Sequence, residues 1–361
     1  MKKIFLFGYY GFGNLGDELL CTYYTNLLTT YFPETRVFIL TNNPEPRTAE
    51  KVQLISRWNL WQLAKLMQPG DLLVGGGGSI IQDATSKRSL FYYLALLKLA
   101  RRQGLDIILA GQGFGPLSPL GKKVASSVLN QVQAISCRDQ WSLGMLVEMR
   151  VNRPKLSLGV DPLWDLSDCA GKRRWPRRPG RSSGIGFILR KGNLQLKRSL
   201  LANLKFRFGD VKLITLFPED YEIAERLGEE LANSPPVLIQ ELDQFLALLP
   251  KLSFVIGEKL HGLLLAARCG LPGIGLSGDP KIIAFCQQMG WSCFTWRDLG
   301  LEKLMLMAVE ELRANLDAAV LQTVKQVRAL EVKAKEEREW VLQQLGKALA
   351  EPQKSLVTLS T

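Results

Sequence analysis

With 361 residues, the chain is long enough for two domains of ordinary size. Its 47% apolar and 22% charged residues are those of a soluble globular protein. The net charge of +12 suggests nucleic acid until it is located: Lys172, Arg173, Arg174, Arg177, Arg178 and Arg181 carry half of the excess. Aromatic and basic residues do not alternate there, a single Trp175 standing among them, so no nucleic-acid partner is expected, and a basic linker facing an anionic membrane or solvent fits instead.

The chain opens with a buried strand at 3–8 (KIFLFG), followed by a glycine-rich loop at 8–18 (GYYGFGNLGDE) and a helix from about Asp17 to Tyr31. The apolar start is too short for a signal peptide, and no run approaches the ~18–20 apolar residues of a membrane span. Gly11, Gly13 and Gly16 fit the dinucleotide pattern G-x-G-x-x-G, but the strand at 36–40 ends in Thr41-Asn42-Asn43 without the acidic ribose contact. Two more glycine loops are expected after strands, Gly75–Gly78 and Gly111–Gly115. Three such loops at the carboxyl ends of parallel strands describe a broad pocket, because glycine lets backbone amides approach a ligand closely. Asp17 and Asp83 stand at or just after two of them, suited to sugar hydroxyls or to helix capping. The strand at 133–136 presents Arg138, a residue able to grip a carboxylate or phosphate or to form a structural salt bridge.

The organisation expected is an N-terminal Rossmann-like domain over 1–170 and a basic linker over 171–183. A C-terminal Rossmann-like domain follows over 184–300, with long helices over 301–361 packing across both. In the second half a strand at 185–189 ends at Arg190, and strands and helices alternate onward. The six cysteines are scattered without a C-x-x-C pair, and the single histidine rules out cysteine–histidine zinc spacing. Neither a metal nor a cofactor is expected. Buried thiols fit a reducing compartment, so a cytoplasmic location is expected.

The most informative stretch is 254–281, FVIGEKLHGLLLAARCGLPGIGLSGDPK. It reads as strand, helix, strand, helix, with Gly270 and Pro272 stopping the first helix. That plan puts His261 and Lys281 at carboxyl ends of strands and amino ends of helices, where α/β sheets bind ligands and helix dipoles favour anions. A lone histidine is by default a satisfied side chain; this position makes it a candidate acid or base.

The set GYYGFGNLGDE (8–18), GGGGSIIQD (75–83), GQGFGPL (111–117), SCRD (136–139), KLHGLLLAARCGLP (259–272) and GDPKI (278–282) resembles the polysaccharide pyruvyl transferase family, CsaB type, over about residues 1–295. Two Rossmann-like halves correspond to the GT-B-like plan. One departure is Lys259, where the family usually has arginine. The resemblance implies transfer of pyruvate from phosphoenolpyruvate to two sugar hydroxyls as a cyclic ketal, with a lipid-linked N-acetylmannosamine-containing wall precursor as acceptor. Such an acceptor implies peripheral contact with the inner face of the plasma membrane. By position, Arg138, His261 and Lys281 match the family's phosphoenolpyruvate ligands. Gly262 accompanies His261, and Arg190 is added from its strand-end position. His261 and Asp17 are the catalytic candidates; Gly13, Asn14, Asp17, Gly77, Gly78, Asp83 and Gln112 are the acceptor candidates. The alternatives are a GT-B glycosyltransferase using a nucleotide-sugar and a non-catalytic sugar-binding protein; NAD chemistry comes last. The oligomeric state is not fixed by the sequence.

Overall fold

The computed structural model describes residues 1–44, 51–166, 184–209, 211–231 and 234–350. The expected basic linker at 171–183 lies outside the described residues. The chain divides into two compact units. The first comprises Met1–Phe12, Leu20–Pro162 and Lys333–Thr361, and the second Gly13–Leu19 and Leu163–Val332.

In the first unit the strands are β1 (Lys3–Phe7), β2 (Arg36–Thr41), β3 (Val52–Ser56), β4 (Leu72–Ile81), β5 (Asp106–Phe114), β6 (Ala134–Cys137) and β7 (Lys155–Leu158). They pair in the order β3-β2-β1-β4-β5-β6-β7, all parallel. The helices between them are α1 (Leu15–Tyr31), α2 (Leu60–Leu66), α3 (Lys87–Arg102), α4 (Pro119–Leu129) and α5 (Gln140–Glu148). Parallel strands need such crossovers, and burial of both sheet faces explains the continuous apolar runs of β1 and β2. Phe5, Phe7, Leu73, Leu109 and Ile135 from the strands meet Leu90, Leu94 and Leu97 of α3 in one core. The strand order reverses between β1 and β4, the place where such sheets open a ligand crevice.

The glycine runs depart from expectation. Gly75, Gly76 and Gly78 are strand residues, paired with Leu109, Ala110 and Gln112 of β5. Likewise β5 runs through Gly111 and Gly113 to Phe114. Pairing with a neighbouring strand is a tertiary property that glycine, with no side-chain pattern, does not advertise. The loop character survives as positive φ at Gly77, Gly78 and Gly111 within the strands and at Gly115 just past the end of β5.

The second unit repeats the plan with β8 (Gly184–Ile188), α6 (Leu194–Phe208), β9 (Val211–Thr215), α7 (Pro218–Glu230), β10 (Val237–Leu238), α8 (Leu242–Leu248), β11 (Leu252–Gly257), α9 (Leu260–Arg268), β12 (Gly273–Leu276), α10 (Pro280–Met289) and β13 (Cys293–Phe294). Its parallel sheet has the order β10-β9-β8-β11-β12-β13, so the order reverses between β8 and β11. Met305 and Val309 of α11 (Leu301–Ala314) close this unit's core over Phe187, Phe254 and Ile256. The last helix, α12 (Leu316–Ala350), divides at Val332 between the two units. Among the described residues, no helix is long and apolar enough to cross a membrane.

Candidate functional site

In the second unit, β8, β11 and β12 lie side by side, with Gly257 paired to Ile188 on one flank and to Gly275 on the other. Arg190, His261 and Lys281 follow these three strand ends and therefore share one edge of one sheet. It is the edge at which the strand order reverses. Helix α9 holds its place because Leu263 to Ala267 are all fully buried. Each buried leucine contributes roughly 1.5–3 kcal/mol. Only its first turn, with His261, reaches the edge. Gly262 is required for that seat: a Cβ there would come within 2.8 Å of Ile188 and 2.9 Å of Leu216. The helix ends as expected, at Gly270 with φ +79° and with Leu271 N donating to Ala266 O at 3.0 Å. Lys281 sits in the first turn of α10, its amide donating to the capping carboxylate of Asp279 at 3.1 Å and its ammonium 3.5 Å from the same group.

The segment Gly13–Leu19 packs in this unit. Leu15 N donates to Leu216 O at 3.0 Å, and Gly13 N to Glu18 Oε1 at 3.1 Å. A Cβ on Gly16 would stand 1.7 Å from Nδ1 of His261, so this glycine and the imidazole are in direct contact. Asp17, the next residue, is buried. The acceptor candidates Gly13, Asn14 and Asp17 thus fall in the same unit as His261, Arg190 and Lys281.

One buried and one partly buried ion pair underlie the β11–α9 junction, and no spacing in the sequence announced them. Lys197 of α6 is fully buried, 3.2 Å from Glu258, and donates to the carbonyls of Arg190 and Gly192. Glu258 also accepts from Arg190 N at 2.9 Å and from Trp296 Nε1 at 2.8 Å. Lys259 pairs with Asp220, which in turn accepts from Lys191 N at 2.8 Å, and its ammonium lies 5.1 Å above the Phe217 ring. Burial pushes both ammonium groups below the ordinary lysine range, while Glu258 and Asp220 respectively push them back. Burial pushes Glu258 up, and the Lys197 charge pulls it down. Asp17 and Arg190 act on Lys259 in opposite directions, the carboxylate supporting its charge and the guanidinium opposing it. The lysine that departs from the family pattern is thereby a half-buried, paired charge set in the same field as Asp17 and Arg190.

The remaining candidates lie in the first unit. Arg138 follows β6, is buried, and donates from Nη2 to Ser79 Oγ at 2.8 Å and from Nη1 to Asp161 at 3.1 Å. Its Nε is 3.5 Å from Asp139, whose carboxylate also caps α5 through Ser142 N. Gly113 makes the room, since a Cβ there would stand 2.2 Å from Ser79 Oγ and 3.0 Å from Arg138 Nε. Gln112 is fully buried and donates to Gly77 O at 2.8 Å, tying β5 to β4 beside Gly78. Asp83 accepts from the amide and hydroxyl of Ser118, the residue that caps α4. Gly77, Gly78 and Gln112, inside the carboxyl halves of β4 and β5, therefore lie beside Arg138 just past β6, with the guanidinium already balanced by two carboxylates.

Several solved structures share this fold at low identity. Anabaena HepE in complex with UDP-glucose is 13% identical with a TM-score of 0.63, matching 96% of this chain and all of its own. An α,α-trehalose-phosphate synthase (UDP-forming) from Burkholderia vietnamiensis is 12% identical with a TM-score of 0.58, over 98% of this chain and all of its own. The lipopolysaccharide outer core galactosyltransferase WaaB is 12% identical with a TM-score of 0.55, over 94% of this chain and 99% of its own. These likenesses establish two Rossmann-like domains of GT-B-like type. No curated protein matches the chain in sequence. The polysaccharide pyruvyl transferase family model, by contrast, matches residues 14–280, which include Gly16, His261 and strands β8 to β12 and end one residue before Lys281. The chain belongs to the polysaccharide pyruvyl transferase family and is a transferase.

Proposed function

We propose that the protein transfers pyruvate from phosphoenolpyruvate to two hydroxyls of a wall-polysaccharide sugar, forming a cyclic ketal and releasing phosphate. The observation that carries this reading is the common edge of β8, β11 and β12, with Arg190, His261 and Lys281 beyond adjacent strand ends and Gly16 packed on the imidazole. Phosphoenolpyruvate is close to a trianion at neutral pH, so its site needs several cations and oriented dipoles. Arg190, Lys281 and the amino ends of α9 and α10 supply them within the second unit.

The reaction begins with a proton delivered to the enol methylene carbon, which becomes a methyl group and leaves oxocarbenium character at the adjacent carbon. One sugar hydroxyl adds there, the carbon–oxygen bond to phosphate breaks, and the second hydroxyl closes the ring. Of the two hydroxyl protons, one restores the acid and the other leaves with phosphate. His261 is the proton donor and Asp17 the base that receives a hydroxyl proton. A lipid-linked N-acetylmannosamine-containing precursor is the proposed acceptor, and it would bring the enzyme to the inner face of the membrane.

The test incubates the protein with phosphoenolpyruvate and a panel of sugar and lipid-linked acceptors, following phosphate release and gain of pyruvate mass. His261→Ala is expected to abolish transfer, and Lys281→Ala to raise the phosphoenolpyruvate Kd by about tenfold or more, as for loss of one charge-assisted contact. Near-normal turnover by the histidine variant, or an unchanged Kd for the lysine variant, removes those assignments. Thermal stabilisation by UDP-glucose but not by phosphoenolpyruvate would replace the reading with glycosyl transfer.

A further inference from the structure

The carboxyl edge of the first unit's sheet carries an aromatic assembly that none of the assigned residues uses. Arg57, one residue past β3, is 3% exposed. Its guanidinium carbon lies 4.5 Å from the ring centre of Tyr92, 5.0 Å from those of Tyr93 and Trp58, and 5.2 Å from that of Phe12. Nη1 donates to Gly8 O at 3.3 Å, and Tyr93 Oη donates to the same carbonyl at 3.0 Å. Tyr92 Oη donates to Arg57 O at 2.7 Å. The end of β1, the end of β3 and helix α3 are thereby fastened around one cation, each cation–ring contact being of the kind that strengthens when desolvated.

On this base stands Trp58, 58% exposed, with its ring 5.4 Å from Tyr92 and its Nε1 donating to Asn42 Oδ1 at 2.9 Å beyond the end of β2. An indole that keeps more than half its surface in water while held from two sides loses little freedom on binding a partner. Trp61, 70% exposed, follows at the start of α2 with the Lys65 ammonium 3.3 Å above its ring.

We propose that Trp58 is a carbohydrate-stacking subsite, holding a sugar of the acceptor chain at the β1–β2–β3 side of this edge; the proposal rests on the acceptor being a saccharide. A ring face is electron-rich, and the C–H bonds on one face of a pyranose are apolar and carry partial positive charge. Beside the indole stand Asn42, which accepts its N–H, and the next residue in the chain, Asn59, both exposed and uncharged and able to meet sugar hydroxyls. An interfacial tryptophan would instead turn its N–H toward headgroups among lysines and arginines. Here the N–H is engaged by Asn42 and Arg57 is buried beneath the rings, so what the indole offers a partner is its exposed face.

The test measures binding of an N-acetylmannosamine-containing disaccharide to the full chain by calorimetry, beside phosphatidylglycerol vesicles. Trp58→Ala, a surface change, is expected to raise the disaccharide Kd about tenfold and the acceptor KM alike, with kcat and phosphoenolpyruvate binding unchanged. Trp58→Tyr, which keeps a ring, is expected to retain most of the affinity. An unchanged Kd in Trp58→Ala overturns the subsite, as does a wild type that does not bind the disaccharide. Loss of vesicle binding with the disaccharide unaffected makes the patch a membrane contact and also overturns it. Disaccharide binding that depends on Trp58 in a protein that releases no phosphate from phosphoenolpyruvate would sustain the subsite and dismiss the pyruvyl reading.

Discussion

Gly16 sits in the first turn of α1 without a positive φ, so its backbone would accept alanine, and helix propensity alone would favour the change by about 1 kcal/mol. The obstacle is His261, whose Nδ1 lies 1.7 Å from where the new Cβ would be. Gly16→Ala must therefore displace the imidazole. A shift on the order of an ångström at a reacting group lowers turnover on the order of 10²-fold. The expected outcome is a folded protein with kcat reduced by that factor; full activity would show that the imidazole's position does not matter. Asp17 supplies a second test. Asp17→Asn keeps the shape of the side chain and removes its charge, so a base role predicts a fall in kcat of about 10²–10⁴ with a native melting temperature. Unchanged kcat and acceptor KM would end that role. The same substitution withdraws a carboxylate that supports the Lys259 charge, so the Lys259 pKa should fall further.

At the scale of elements, α12 is held to the first unit's sheet by an unusual contact. Glu337 is buried against Gly159, accepts from Ser157 Oγ at 3.4 Å and is hydrogen-bonded by Ser136, which itself accepts from Gly111 N at 2.7 Å. Burial raises its pKa above the ordinary 4.5, with the two serines pulling it back. The folded state therefore holds this proton more tightly than the unfolded one. Its contribution to stability is whole below the ordinary glutamate pKa and is lost as pH rises through the raised value. Glu337→Gln keeps the shape and cannot ionise. It is expected to melt higher than the wild type at pH 8, with the difference closing as pH falls toward 4.5; a pH-independent difference would contradict this. Glu337 also marks the limit of what the sequence discloses about elements. The alternation of strands and helices was legible because buried parallel strands are continuous apolar runs and helices end at Gly270-type caps. His261 was legible as the only histidine, set at a strand–helix junction. Partners distant in sequence were not: Asp161 for Arg138, Lys197 for Glu258, Asp220 for Lys259 and the four rings around Arg57 are matched only by folding. The glycines of β4 and β5 were misread as loops for the same reason.

For the whole molecule, the informative quantity is the charge distribution. Half of the net +12 is carried by Lys172, Arg173, Arg174, Arg177, Arg178 and Arg181, six basic residues within one short stretch. A basic residue close to an anionic leaflet contributes about 1 kcal/mol, and the attraction fades beyond a Debye length of about 10 Å at 0.1 M salt. If the acceptor is lipid-linked, these charges serve to raise the enzyme's concentration at the surface where the substrate lies. Replacing all six residues by glutamine halves the net charge without touching any residue assigned to phosphoenolpyruvate or sugar. At low salt the variant should bind phosphatidylglycerol vesicles at least tenfold more weakly than the wild type. The two proteins should converge near 1 M salt, where the Debye length is about 3 Å. Neutral phosphatidylcholine vesicles should not distinguish them, and neither should turnover of a water-soluble acceptor. The apparent KM for a lipid-linked acceptor presented in anionic vesicles should rise in the variant, because only the surface concentration has changed. Equal vesicle binding at low salt would reduce these six charges to a solvated connection. Equal loss of activity on soluble and lipid-linked acceptors would place them instead within the catalytic machinery.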